Sequence, residues 1–257
     1  GFYLPFKQDY TVEGFSTVLY KGTGASQYVG GTGFKPDLVW NKRRDSGAWH
    51  LLSNSIVRHE LYPNGGTVEG DSAPNVNIGA YAPDGFVVGT GGAINTSGAS
   101  MVAWNWDMGA DTPTGFGCVA YEGSGSALNI TGMGFKPDLT WIKNRDTTDW
   151  HQLTDSVRGV DKQIFPNATD AGDNATNKIT SFDPDGFSLG SHESVNTNAE
   201  EYIAWGWDMG GTSVANTTGD INTTVMANPT YGQSIVAWTG TGSGSSPTVG
   251  HGLSSAP

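Results

Sequence analysis

The sequence predicts an all-β protein made of two tandem antiparallel β-sandwich domains, of lectin-like or jelly-roll character, plus the start of a third. Three observations carry this. The stretch Gly33-Phe34-Lys35-Pro36-Asp37-Leu38-Val39-Trp40 returns 101 residues later as Gly134-Phe135-Lys136-Pro137-Asp138-Leu139-Thr140-Trp141, and similarity at one fixed offset marks a duplicated unit. The chain holds 38 glycines in 257 residues, a turn-rich composition suited to many short strands. Its apolar residues alternate in short runs bounded by Gly, Pro and Asp, the period of half-buried strands.

The offset holds along both copies. Trp49-His50 matches Trp150-His151, Pro83-Asp84-Gly85-Phe86 matches Pro184-Asp185-Gly186-Phe187, and Ala103-Trp104-Asn105-Trp106-Asp107 matches Ala204-Trp205-Gly206-Trp207-Asp208. The expected division is an extended segment over 1–13, repeat one over 14–111, repeat two over 112–211, a linker over 212–233 and the opening of a third repeat over 234–257. Each repeat, near 100 residues, is of ordinary domain size. Because the sequence begins at Gly1 and the third copy is incomplete, a piece of a longer beaded polypeptide is expected.

Taken in order, Phe15 to Lys21 alternates with Val18 and Tyr20 on one face, and Val119 and Tyr121 repeat them, so that face is predicted to be core. Lys35-Pro36 leads into a strand through Trp40, since proline favours extended geometry in the residue before it. Arg58 to Pro63 and Arg158 to Pro166 differ in length, which predicts a surface loop. Pro83-Asp84 carries the residues of a tight hairpin turn. The last strand puts Val102, Trp104 and Trp106 on one face, repeated by Ile203, Trp205 and Trp207. That face is predicted to be the packed one, each ring burying ~150–250 Å². Thr212 to Gln233, rich in Thr, Asn and Gly, reads as a linker with a short pairing strand over Ile221 to Met226. The first junction is far shorter, so copies one and two are expected to dock closely and the third to stand further off.

A formal charge of −12 argues against a nucleic-acid partner, because no basic stripe is present to displace counterions from phosphate. No apolar run reaches the ~20 residues of a membrane span and no signal-peptide pattern opens the chain, so no membrane insertion is expected. The single cysteine, Cys118, has Thr17 as its counterpart, which predicts a small buried residue.

Motifs for chemistry are sparse. His59-Glu60 and His192-Glu193 lack the second histidine of a zinc helix, and Asp183-Pro184-Asp185-Gly186 begins like a calcium loop without its later ligands. No metal, cofactor or nucleotide loop is predicted. The recurring acids Asp37, Asp45, Asp84 and Asp107 each have a structural job available: strand start, pairing with Arg44 or Lys42, hairpin turn and strand end. No catalytic residue is assigned and the chain is not expected to be an enzyme. The sharpest candidate binding cluster is Arg44, Asp45, Trp49 and His50, repeated as Arg145, Asp146, Trp150 and His151. An aromatic ring beside charged groups can stack on the apolar face of a sugar. Two weak copies would gain by avidity.

The series Gly-Phe-Lys-Pro-Asp-Leu-x-Trp-x-Lys-x-Arg-Asp, Trp-His, Asp155-Ser156-Val157-Arg158-Gly159, Ser181 to Phe187 and Tyr202-Ile203-Ala204-Trp205 resembles a repeat of tail-fibre-like virion structural proteins of tailed, notably marine, bacteriophages. Gly219 to Val225, Ala227 to Thr230 and Ser234 to Trp238 resemble the junction and first strand of the next module. The first copy departs from the pattern, with Asn54-Ser55-Ile56-Val57 in place of Asp155-Ser156-Val157-Arg158. The resemblance implies a structural component on the virion surface, outside the cell, with other virion proteins and copies of itself as partners, a homotrimer by analogy. Host attachment by binding surface glycans is a second implied role. The competing class is an extracellular bacterial adhesin or carbohydrate-binding array; a depolymerase is a third.

Overall fold

The computed structural model describes residues 14–57, 59–70, 76–109, 113–242 and 246–254; the extended segment expected over 1–13 lies outside them. Copy one contains β1 (Phe15–Lys21), β2 (Gln27–Gly30), β3 (Leu38–Arg43), β4 (Leu51–Asn54), β5 (Ile78–Ala82), β6 (Gly85–Val88), a single helical turn α1 (Gly92–Asn95) and β7 (Ser100–Trp106). Copy two repeats them as β8 (Phe116–Glu122), β9 (Leu128–Thr131), β10 (Leu139–Asn144), β11 (Gln152–Asp155), β14 (Ile179–Asp183), β15 (Gly186–Leu189), α2 (Glu193–Asn196) and β16 (Glu201–Trp207), and inserts β12 (Lys162–Ile164) and β13 (Asp173–Asn174). All pairings between these strands are antiparallel.

Each copy is a sandwich of a larger and a smaller sheet. The larger runs β1-β7-β3-β4 in copy one and β8-β16-β10-β11 in copy two, extended there by β12 and β13; the smaller runs β2-β6-β5 and β9-β15-β14. The hairpin from β5 to β6 pairs Ala82 with Gly85 across Pro83-Asp84, as the turn residues predict. Between the sheets of copy one lie Val39, Leu51, Phe86, Ile94, Met101 and Ala103, with Val18 and Tyr20 against them; in copy two Ile142, Phe187, Val195, Tyr202 and Ala204 lie beside Val119 and Tyr121. The alternation of β1 and β8 therefore points its predicted face into the core.

The tryptophan face is packed, but not inside either sandwich. Leu38, Leu52, Trp141, Ile203, Trp205 and Trp207 form one shared cluster with Trp40 and Trp106 against it, so the larger sheets of the two copies meet through their outer faces. Ring centroids lie 5.8 Å apart for Trp40 and Trp141, 6.2 Å for Trp106 and Trp207 and 6.2 Å for Trp106 and Phe116. The core of each sandwich uses the opposite face of the same strands, Met101 and Tyr202 included. Both faces of β7 and β16 are thus covered. Trp205 is fully buried, and at ~25 cal/mol per Å² such a ring contributes several kcal/mol to holding the copies together. Among the described residues the seam is not filled. A cavity of about 370 Å³ remains in it, lined by Leu38 and Leu139, Trp40 and Trp141, Leu52 and Leu153, Trp106 and Trp207, with Phe15, Met209 and Tyr231 to Gln233 completing the wall.

Three expectations are corrected. The stretch from 158 to 166 is no plain loop: it holds β12, whose Ile164 pairs with Leu153 of β11, and in copy one Leu61 makes the equivalent bridge to Leu52 and is fully buried. The segment 212–233 is no plain linker, because it holds β17 (Val214–Asn216) and β18 (Thr223–Asn228), which with β19 (Gln233–Trp238) form a three-stranded sheet. That sheet packs on the seam through Met226 and Ile235. Asp45 pairs with Arg43, at 2.7 Å, and not with Arg44 or Lys42.

Candidate functional site

The recurring acids hold turns. Asp37 accepts from Ser55 Oγ and Met108 N, Asp84 from Gly31 N and Gly33 N, and Asp107 from Gly109 N. In copy two Asp138, Asp185 and Asp208 accept the equivalent bonds. Each carboxylate satisfies backbone donors that a glycine-rich turn leaves without partners. Cys118 is buried, and burial pushes its thiol well above the ordinary range.

The structure separates the residues of the predicted cluster into different jobs. Arg145 lies on the boundary between the copies, where its guanidinium donates to Glu69 of copy one at 2.7 Å and to Glu201 at 2.6 Å. Asp146 accepts from Glu201 N at 2.6 Å, as Asp45 accepts from Ser100 N at 2.7 Å. Both close the start of the last strand. Arg44 is exposed. His151 is fully buried: Trp141 Nε1 donates to its Nδ1 at 2.8 Å, so its Nε2 carries the proton and donates to Tyr62 O of copy one at 3.1 Å. Burial first, and Lys143 second, depress its pKa to about 3, and the ring stays neutral. His50 sits beside Trp40 with ring centroids 6.1 Å apart, but Trp40 Nε1 and His50 Nδ1 lack the bond their counterparts make.

The two remaining residues, Trp49 and Trp150, are 51 % and 42 % exposed. Trp49 packs edge-on against Tyr62 at 5.6 Å and Trp150 against Phe165 at 5.2 Å, so each ring keeps one side held and the other open. Gly65 and Gly66 lie between them. A Cβ on Gly65 would stand 2.8 Å from the Trp49 ring, and one on Gly66 would stand 2.6 Å from Thr148 O and 3.5 Å from Trp150 Cδ1. One loop of copy one therefore runs between both tryptophans.

Trp150 borders a groove. It is a space of about 430 Å³ lined by Thr148, Asp149, Trp150, Gln152, Phe165, Asp170, Asp173, Lys178, His192, Glu193 and Ser194. Lys178, 2 % exposed, anchors it: its ammonium donates to Gln152 Oε1 at 2.9 Å and Asp173 Oδ2 at 2.8 Å and lies 5.2 Å from the Phe165 ring centre. Gln152 in turn donates to Trp150 O at 2.9 Å. Asp149 is fixed by Thr147 Oγ1 at 2.8 Å. His192 Nδ1 accepts from Ser194 N at 3.2 Å, and burial and then Lys178 lower its pKa, so it presents a neutral ring. With one lysine against Asp149, Asp170, Asp173 and Glu193, the groove carries net negative charge. Hydroxyl and amino groups can bond in it beside an aromatic face; carboxylates and phosphates are repelled.

Asp149, Gln152, Lys178 and His192 around Trp150, none of them in the predicted binding cluster, are Ala48, Leu51, Asn77 and Gly91 in copy one. The signal was the difference between copies, not their agreement. Among the described residues no three or more His, Cys, Asp or Glu gather as a metal site, and no helix is long and apolar enough to cross a membrane. No curated protein and no solved structure matches the chain. The family model described as Domain of unknown function (DUF7483) matches it twice, over residues 11–115 and 113–257, and the chain belongs to that family.

Proposed function

We propose that this chain is a structural component of a bacteriophage virion surface, of tail-fibre type, which displays tandem sandwiches and grips host-surface glycan through the groove at Trp150. The spaced motifs that resemble tail-fibre-like repeats support the virion setting. The observation that carries the binding role is the Trp150 ring, 42 % exposed at the rim of a polar groove. Such a ring stacks on the apolar face of a pyranose while neighbouring amide and carboxylate groups take its hydroxyls. The negative groove favours neutral or amino sugars over uronic or sialic acids. Trp49, exposed across the Gly65-Gly66 loop, offers a second platform for the same chain of sugars. The role is binding, not turnover, and needs no cofactor. Partners are other virion proteins and further copies of the chain, as a homotrimer.

A glycan array tests this. The double variant W49A/W150A is expected to lose glycan binding while its melting temperature falls only slightly, because both rings are half-exposed. Unchanged array binding, or a collapse of the fold, refutes the role given to these rings. Light scattering of the intact particle protein checks the trimer, and a monomer contradicts it.

A further inference from the structure

We propose that the cavity in the seam is the place of a third copy of this same domain, entered through β19, which closes three sandwiches around one axis. The inference is independent of the glycan reading. It starts from the interface between copies one and two, which is not self-complementary. Trp106 of copy one touches Phe116 of copy two at 6.2 Å, whereas the reciprocal pair, Trp207 and Phe15, makes no ring contact among the described residues. Cys118 is buried where its counterpart Thr17 is exposed. A contact of this kind joins the front of one unit to the back of the next, and repeating it produces a ring or an open filament.

The same step begins again after copy two. Gly14, Gly115 and Gly232 all take positive φ, 87°, 68° and 64°, ahead of the first strand of their repeats. Thr114 packs on Gly14 as Tyr231 packs on Gly115. The back of copy two also receives Gln233, whose Nε2 donates to Asp208 O at 2.6 Å and Gly115 O at 3.0 Å, and Ile235, the counterpart of Cys118, joins the shared cluster.

What decides between ring and filament is where β19 arrives. Residues 231–233 line the very cavity that Phe15, Trp40 and Trp106 of copy one line, so the third unit returns to the first. Counterparts that touch directly, Trp40 with Trp141 at 5.8 Å, place the axis there. The space opens to solvent and its walls are Leu, Trp, Phe and Met side chains, an apolar surface that burial against a further apolar face would stabilise. The third set of counterparts to the paired Leu and Trp residues is what fits it. Trp238 agrees: it corresponds to Tyr20 and Tyr121, which lie against the sandwich cores, yet it is 56 % exposed, as the first strand of a sandwich without its partner sheet would be.

The test uses the 257-residue chain and the same chain continued after Trp238 by residues 122–211 of copy two. The anionic dye 8-anilinonaphthalene-1-sulfonate, whose rings seek apolar surface, is expected to bind the first at the seam, with L52W reducing the signal, and not to bind the extended chain. The extended chain is expected to melt at higher temperature in one transition. Three results overturn the proposal: no dye binding by a monomeric 257-residue chain, which means the seam shuts unaided; self-association that removes its dye site, which makes the occupant another chain; or an extended chain that keeps the dye site and melts in two steps. An extended chain that does not fold leaves the first two results to decide.

Discussion

Acid should loosen the contact between the two copies through a single imidazole. His151 joins Trp141 in copy two to Tyr62 O in copy one, and it can do both only as the neutral ring. Its pKa falls from 6.5 to about 3 in the fold, so the unfolded chain takes up a proton at a pH where the folded chain does not. Stability from this group is full above pH 6.5 and is lost as pH falls toward 3. At 1.36 kcal/mol per pKa unit, the loss at pH 5 is about 2 kcal/mol. H151Q removes the titration while keeping a polar side chain between the same partners. Urea denaturation of both proteins at pH 7, 6, 5 and 4 isolates the difference, since Asp138, whose pKa burial raises, and the other shifted groups remain in each. The wild type should lose about 2 kcal/mol more than H151Q between pH 7 and pH 5. Parallel pH slopes, or a His151 proton resonance that titrates near pH 6.5 in the folded protein, refute the reasoning.

Other outcomes follow from the same contacts. W205A removes a fully buried ring from the seam and should cost about 3–5 kcal/mol in denaturant unfolding; a loss below about 1 kcal/mol contradicts the shared core. G66A drives a Cβ to 2.6 Å from Thr148 O, and hydrogen exchange at residues 148–151 should rise in it, whereas G47A, with open space around it, should leave exchange unchanged. K178M should weaken glycan binding measured by titration calorimetry at least as much as W150A does, because Lys178 holds Gln152 and Asp173 in place; the equivalent change in copy one, N77M, should leave binding as it is.

Much of the architecture was legible. The offset of 101 residues located both sandwiches, and the period of two in β1 and β8 picked out the faces that carry Val18, Tyr20, Val119 and Tyr121 into their cores. The fate of the tryptophans was half legible. Alternation says that a face is covered, not by what, and a strand covered on both sides shows the same pattern whether its second neighbour is its own sheet or another domain. The Thr-rich stretch 212–233 reads as linker by composition, while the run Thr223 to Asn228 gains its partners from β17 and from β19 across turns. Arg43 ends β3 and reaches Asp45 in the bend that follows, while Arg44 in the same bend is exposed. The groove is not legible from the repeat, because Lys178, Gln152 and His192 occur in one copy alone.

The most direct measurement is a crystal structure of the chain with the oligosaccharide that binds best on the array. The account predicts a sugar ring stacked on the open side of Trp150, with its hydroxyl or amino groups bonded to Asp149, Asp173 or His192. A glycan bound on copy one alone, or anywhere that leaves the Trp150 ring bare, contradicts it.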